Sequence, residues 1–370
     1  MYERYHIALD HLERLTDATG LFEHASYASP NLAEGYSTDD NARALLLTVL
    51  LEELGLASPE VYQLASTYAA FVNGAFVPGR RRFRNDLGCD RRWQDEVGSD
   101  DCFGRSLWAL GACASRSKWG DLRSWGREVF ARALPGLAET TAPRGWAFGL
   151  MGIHEYLQSL PGDRLAAEVR DTLIGRLLEC HERAATGDWP WFEDVLTYDN
   201  AQLAHALVVS GHDAGNPKAR DVGLASLRWL AGVQKSPDGH FRPIGSNGFY
   251  RRGRERAEFD QQPLEAHATV SACLAAYRVT GDAAWVREAR TAFDWFLGGN
   301  DLGLEVYDAT TGGCRDGLHA DRVNQNQGAE STLAFLLSLT ELKRTKDEAL
   351  FSSFLLQKGG ACTLSARESS

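Results

Sequence analysis

Long apolar runs are missing from this chain of 370 residues. The most apolar stretch, Ala44 to Leu51, stops at Glu52 and Glu53, far short of the roughly 20 residues that cross a bilayer. Met1 to Thr16 alternates Glu, Arg, His and Asp with apolar residues, where a signal peptide would carry an unbroken apolar core. An excess of positive charge is missing too. The 39 Lys and Arg face 50 Asp and Glu, a net charge of −11, and no dense basic run offers the footprint that a phosphate backbone requires. Nucleic acid and membrane are therefore not expected as partners. None of the seven cysteines forms a Cys-x-x-Cys pair, and an odd number cannot close completely into intramolecular bridges. This points to reduced thiols and a cytoplasmic location. Strand signals are few, because β-branched residues seldom alternate with polar ones over five or more positions. A short hairpin near 83–93 or 240–256 is the β content expected. The rest of the composition, 44% hydrophobic and 24% charged, is close to the globular average and excludes disordered and collagen-like chains.

What the chain does have is a repeat: an acidic or amide residue, an apolar helix rich in small residues, a stop, and a second helix. The openings are Thr38-Asp39-Asp40-Asn41-Ala42-Arg43, Ser99-Asp100-Asp101-Cys102-Phe103-Gly104-Arg105, Tyr198-Asp199-Asn200-Ala201-Gln202, Phe259-Asp260-Gln261-Gln262 and Gln325-Asn326-Gln327-Gly328-Ala329-Glu330, with a weaker one at Pro143-Arg144-Gly145-Trp146. Successive openings are 43 to 66 residues apart, room for two helices and their loops. The helices that follow are apolar nearly all round, as in Ala44 to Leu51, which suits burial on every side. Several are expected to stop at a glycine (Gly55, Gly162, Gly211, Gly281), which tolerates a left-handed helix end. Their partners are amphipathic, with Ala8, Leu9, Leu12 and Leu15 on one face of the first. Outer segments are expected near 3–17, 58–76, 120–138, 164–185, 217–234 and 282–298, each paired with one inner helix. The expected fold class is all-α: six hairpins in one domain over 1–343, then a polar tail, 344–370, with a short helix at 347–356.

Six consecutive hairpins with acid-rich inner-helix starts resemble the (α/α)6 toroid of the six-hairpin glycosidase superfamily. Tyr198-Asp199-Asn200-Ala201-Gln202-Leu203 and Leu230-x-x-x-Gln234-x-x-x-Asp238-Gly239-x-Phe241 are similar to phrases found across such toroids, epimerases and cyclases included. The resemblance implies the barrel more than any one reaction.

In a closed ring of hairpins the inner helices run the same way, so their N-terminal ends meet at one mouth. Asp39, Asp40, Asp100, Asp101, Asp199 and Asp260 are expected there, with Asn200, Gln261, Asn326, Glu330, Arg43 and Arg105 at the same level. Carboxylates, amides and guanidinium groups together suit a polyhydroxylated ligand, whose hydroxyls both donate and accept. A single Asp at a helix start is more often a cap than a catalyst. The twin acids Asp39-Asp40 and Asp100-Asp101 differ, because one member can cap while the other faces the axis. Packed carboxylates also split their pKa values, separating a proton donor from an ionised partner as glycoside cleavage requires. Adjacent aspartates resemble the catalytic pair of some mannan-cleaving members of the superfamily. On this reading Asp101 is the first candidate for proton transfer, Asp40 the second, and Asp199 a third. Trp189 and Trp191, in the loop before an inner helix, offer flat faces for pyranose rings, against the alternative that they pack between helices.

Other chemistries find less support. The ten His show no His-x-x-x-His or His-Glu-x-x-His spacing and no Cys pair is ready for zinc. Asp39-Asp40 is followed by Arg43, which breaks a magnesium-diphosphate motif. Nucleotide loops and a nucleophile elbow are also missing. Neither metal nor cofactor is expected. Arg80 to Arg84 and Arg251 to Arg256 read as solvated loops, or as holders of an anionic sugar if they reach the mouth. The leading expectation is a carbohydrate-active hydrolase, a glycosidase cleaving an oligosaccharide by carboxylate acid/base chemistry. One alternative is a sugar isomerase or epimerase using His24, His205, His267 or His319 as base. The other is a non-catalytic glycan-binding protein with a functional link to a glycosyltransferase.

Overall fold

The computed structural model describes residues 5–364, with side chains for 5–346. Among them twelve helices alternate: α1 (Asp10–Arg14), α2 (Thr38–Glu53), α3 (Pro59–Ala75), α4 (Asp100–Arg116), α5 (Gly120–Leu137), α6 (Pro143–Ser159), α7 (Arg164–Ala184), α8 (Ala201–Asp213), α9 (Pro217–Val233), α10 (Pro263–Thr280), α11 (Ala283–Asp294) and α12 (Ala329–Leu364). The even-numbered helices pack each on the next, and α12 closes on α2, so they form a complete inner ring. The odd-numbered helices pack outside, α3 on α2, α5 on α4, and so on round to α1 on α12. No described helix is long and apolar enough to cross a membrane.

Local chemistry explains the boundaries. Ser58, Ser99, Asp163, Asn216 and Asp282 cap α3, α4, α7, α9 and α11, each side chain accepting a backbone N–H of the first turn. Proline opens α3, α6, α9 and α10, where its missing N–H costs nothing. Gly281 ends α10 in the left-handed region, at φ 71°. Inner helices are buried nearly throughout, and α2 keeps only Asp39 and Glu53 out of the core. The closest pair in the ring, α4 and α6, meets through glycines: a Cβ on Gly111 would lie 2.2 Å from the carbonyl oxygen of Gly152.

The elements depart from expectation at four places. Gly211 does not end α8, which runs on to Asp213. It is glycine because α9 crosses there, and a Cβ would meet Arg220 N at 2.5 Å. The first outer helix is only Asp10–Arg14 rather than 3–17, of which residues 3 and 4 lie outside the described residues. The last inner helix does not stop at Lys343 ahead of a separate helix at 347–356, since α12 continues to Leu364, and 365–370 of the expected tail lie outside the described residues. The β content is six two-residue pairs among the described residues. Two join different loops. Tyr36–Ser37, ahead of α2, pairs with Asp86–Leu87, ahead of α4, and Val195–Leu196, ahead of α8, pairs with Tyr250–Arg251, ahead of α10. These pairings stitch the long loops together above the inner-helix N-termini.

Candidate active site

Because every inner helix is preceded by an outer one of opposite direction, the six inner N-termini share one end of the ring. A cavity of about 560 Å³ opens there, lined by Asp39 of α2, Asp100, Asp101 and Arg105 of α4, Tyr198 ahead of α8, and Glu330 of α12. Residues 291 positions apart in sequence, Asp39 and Glu330, thus face one space.

Within it, each carboxylate has a different partner. Ser99 caps α4 through Cys102 N, so neither twin acid is needed for that task. Asp100 instead accepts the backbone N–H groups of Thr141 and Ala142, at 2.7 and 2.9 Å, and Arg82 at 2.7 Å. It ties the start of α6 to α4. Burial alone would raise its pKa, but those donors outweigh it and hold the carboxyl below the usual range. Asp101 has no such set. Its Oδ2 accepts the Tyr198 hydroxyl at 2.7 Å, and Arg144 lies over the Tyr198 ring, 4.6 Å from its centre. Burial raises the pKa of Asp101, Asp39 adds to the rise, and Arg105, Tyr198 and Arg144 offset part of it.

Below this layer two buried arginines distribute counter-charge. Arg105 donates to Asp39 at 2.6 Å and to Asp199 at 2.7 Å. Arg43 donates to Asp40 at 2.7 Å and to Glu330 at 2.9 Å. Burial pushes Asp40 up to about 8, against the pull of Arg43 and helped by Glu330, Glu23 and Asp39. Two carboxylates sharing one guanidinium cannot both be fully compensated.

The mouth therefore gathers Asp39, Asp100, Asp101, Arg105 and Glu330 as expected neighbours, with Arg43 one layer down. Asp40 and Asp199, each 3% exposed, do not line the cavity; their carboxylates are spent on Arg43 and Arg105. Trp189 and Trp191 are not at the mouth either, at 3% and 0% exposure. They pack with Trp229 and Tyr250, so the packing reading of these aromatics holds. Asn200 is buried between Thr197 N and Glu265. Gln261 is also buried, accepting Trp295 Nε1 and donating to Asp301. Asp260 pairs with His319 at 2.5 Å, and Asn326 accepts Tyr27 N at 2.9 Å; both serve the loops. The arginine-rich loops do likewise: Arg82 binds Asp100, Arg252 binds Asp194 at 2.6 Å, and Arg256 donates to Val233 O.

Two residues escaped the sequence reading. Tyr198 stood inside a quoted motif, and its place beside Asp101 follows only from the ring. Glu23 sits in the loop before α2 with no periodicity to mark it. Burial, then Asp86, Asp39 and Glu330, raise it to about 7. Among the described residues no group of three or more His, Cys, Asp or Glu is placed to hold a metal ion.

The sequence matches no protein-family model and none of the curated proteins. Solved structures do match. Cellobiose 2-epimerase from Bacillus thermoamylovorans superposes with a TM-score of 0.69 at 10% identity, over 92% of this chain and 97% of that one. A D-mannose isomerase gives 0.63 at 11% identity over 91% and 95%. An α-mannanase from Bacteroides thetaiotaomicron gives 0.64 at 9% over 92% and 94%. These likenesses show the fold, an (α/α)6 toroid of six helical hairpins.

Proposed function

We propose that this chain is a carbohydrate-active enzyme that hydrolyses a glycosidic bond at the N-terminal mouth of the toroid. The observation that carries the reading is the division of roles in the cavity. Asp101 faces it with a raised pKa and a single side-chain hydrogen bond. Glu330 faces it with Oε2 on Arg43, and its Oε1 makes no hydrogen bond among the described residues. Asp101, protonated, donates to the glycosidic oxygen as the bond breaks; Glu330, compensated by Arg43, receives the proton of the attacking water or stabilises the positive charge that develops on the sugar. Asp39 and Arg105 offer an acceptor and a donor to the hydroxyls of an oligosaccharide.

Solved structures of the same fold include epimerases and an isomerase as well as glycosidases, so the fold does not choose between these reactions. The site favours hydrolysis because no described histidine lines the mouth cavity. His319 is engaged by Asp260, and His205 and His267 lie deeper in the barrel. The cytoplasmic location rests on the scattered thiols, and a link to a glycosyltransferase stays with the non-catalytic alternative.

The test is a screen of mannose-, glucose- and uronate-containing oligosaccharides, following new reducing ends. The best substrate is then repeated with Asp101→Asn, Glu330→Gln and His205→Ala. Hydrolysis lost in the first two variants with folding retained is the expected result. Full activity in both, with the His205 variant dead, transfers the assignment to epimerisation. Binding without turnover by the wild type leaves the glycan-binding protein.

A further inference from the structure

The ring has a second end. Where α2, α4, α6, α8 and α10 finish beside α12, a cavity of about 420 Å³ is lined by charged residues from all six inner helices: Glu53, Arg116, Glu155, Asp213, Arg278, and Glu341 with Arg344. Its volume lies within the ~300–1,000 Å³ typical of small-molecule sites. Arg105, Trp108 and Phe148 close the barrel axis between this cavity and the mouth, leaving a void of only about 20 Å³. The two spaces are thus separate.

Its chemistry selects a class of ligand. Three guanidinium groups, on Arg116, Arg278 and Arg344, stand against the carboxylates of Glu53, Glu155, Asp213 and Glu341, and the C-termini of α2, α4, α6, α8 and α10 add partial negative charge. Arg116 is held by Glu53 at 2.6 Å and by Glu155 at 2.5 Å, and Arg344 also reaches Glu53 at 3.2 Å. An anion would have to displace these carboxylates, so the balance opposes phosphate or sulfate. The inner wall is different: Trp108, Met151, Val209 and Ala275 give it an apolar surface, suited to the C–H face of a sugar ring. Beside them stands His205, 4% exposed. It lines the cavity and makes no hydrogen bond with any described residue, its Nδ1 and the neighbouring Trp108 Nε1 both lacking partners. Burial holds its pKa down at about 4, so near neutral pH the ring carries one donor and one acceptor. Buried polar atoms without partners are rare enough in folded proteins to require an explanation.

We propose that this cavity is a second ligand site, taking a neutral polyhydroxylated molecule of one or two sugar rings, with the ring face against Trp108 and hydroxyls shared between His205 and the charged rim. Such a site would stand whichever reaction the mouth performs.

Hydrogen exchange read by mass spectrometry separates the two ends of each helix. Mannose, glucose and cellobiose serve as neutral probes, and glucose 6-phosphate and inorganic phosphate as anionic ones. The expected result is slower exchange in 151–159 and 205–215 with at least one neutral sugar, and none there with the anions. His212→Trp, on an exposed cavity residue, should weaken that protection about tenfold in sugar concentration while turnover and protection of 36–43 and 98–105 at the mouth stay as in wild type. His205→Phe, which keeps an aromatic ring there and removes both nitrogens, should do the same at the far end. Protection confined to the mouth, no protection by any neutral sugar, or protection at the far end by phosphate alone would each overturn the proposal. Loss of all hydrolysis with far-end protection intact would count against the proposed reaction and not against this site.

Discussion

Asp100 and Asp101 are the same residue type, adjacent, in one turn of one helix, and they do different work. Asp100 points to the α6 start and accepts two backbone N–H groups; Asp101 points to the cavity and accepts one phenol. Asp100→Ala leaves those donors without their acceptor and the largely buried Arg82 with only the Gly98 carbonyl, a loss of about 1–3 kcal/mol, read as a lower urea midpoint at an unchanged slope. Its pKa is lowered by folding, so its contribution is present above the unfolded value and disappears as pH falls through the folded one. Asp101→Asn should instead leave the midpoint nearly in place and cut kcat by about 10²–10⁴. Because the acid must be protonated, kcat should fall as pH rises through the raised pKa of Asp101. The Tyr198 hydroxyl stabilises the ionised form, so Tyr198→Phe should move that alkaline limb to higher pH. A limb that stays put, or moves down, would remove Asp101 from the role of donor. The doubling of acids was readable in the sequence. Asp101 was already the first candidate there, but what occupies Asp100 was not readable, because Thr141 and Ala142 reach it from 41 and 42 residues away.

At the scale of elements, the hairpins were legible because burial on all sides and burial on one side write different patterns into a helix. The glycines were less so. Gly111 looks like any small residue in an apolar helix, yet its missing Cβ lets α4 and α6 touch through their backbones. Gly111→Ala should therefore cost about 1–3 kcal/mol by overpacking. A Cβ added to Gly175, inside α7, would meet nothing within 4 Å; there Gly→Ala should stabilise by about 0.5–1 kcal/mol, since glycine is the poorer helix former. Urea unfolding of the two variants checks the opposite signs. Gly211 was read as a helix stop for a related reason: close approach of a neighbouring helix and a left-handed turn both demand glycine, and sequence alone does not tell the demands apart.

For the whole molecule, the convergence of acids on one end has a thermodynamic consequence. Burial and neighbouring charge raise Asp40 to about 8 and Glu23 and Glu265 to about 7. The folded state then binds more protons than the unfolded one across neutral pH, so stability must decline as pH rises. The lowered histidines His11, His181 and His205, with an ordinary value of 6.5, are half protonated in the unfolded state at the lower end of the range between pH 6.5 and 8 and oppose this in part; their opposition fades toward pH 8. Thermal unfolding should show a Tm lower by several degrees at pH 8 than at pH 6.5, with Asp40→Asn flattening the difference. A Tm that climbs over that interval would mean that these carboxyls are ionised at little cost. By itself, the sequence determined that the chain is a ring of helical hairpins with acids at the inner-helix starts, since helix periodicity and capping are local and repeat with the chain. Only the tertiary structure decided which carboxylates face solvent, which are neutralised by Arg43 and Arg105, that Trp189 and Trp191 are core, and that charged helix ends enclose a second cavity. Those outcomes depend on side chains far apart in sequence, 287 residues for Arg43 and Glu330, and no local pattern records which distant residue will arrive to complete a charge or fill a gap.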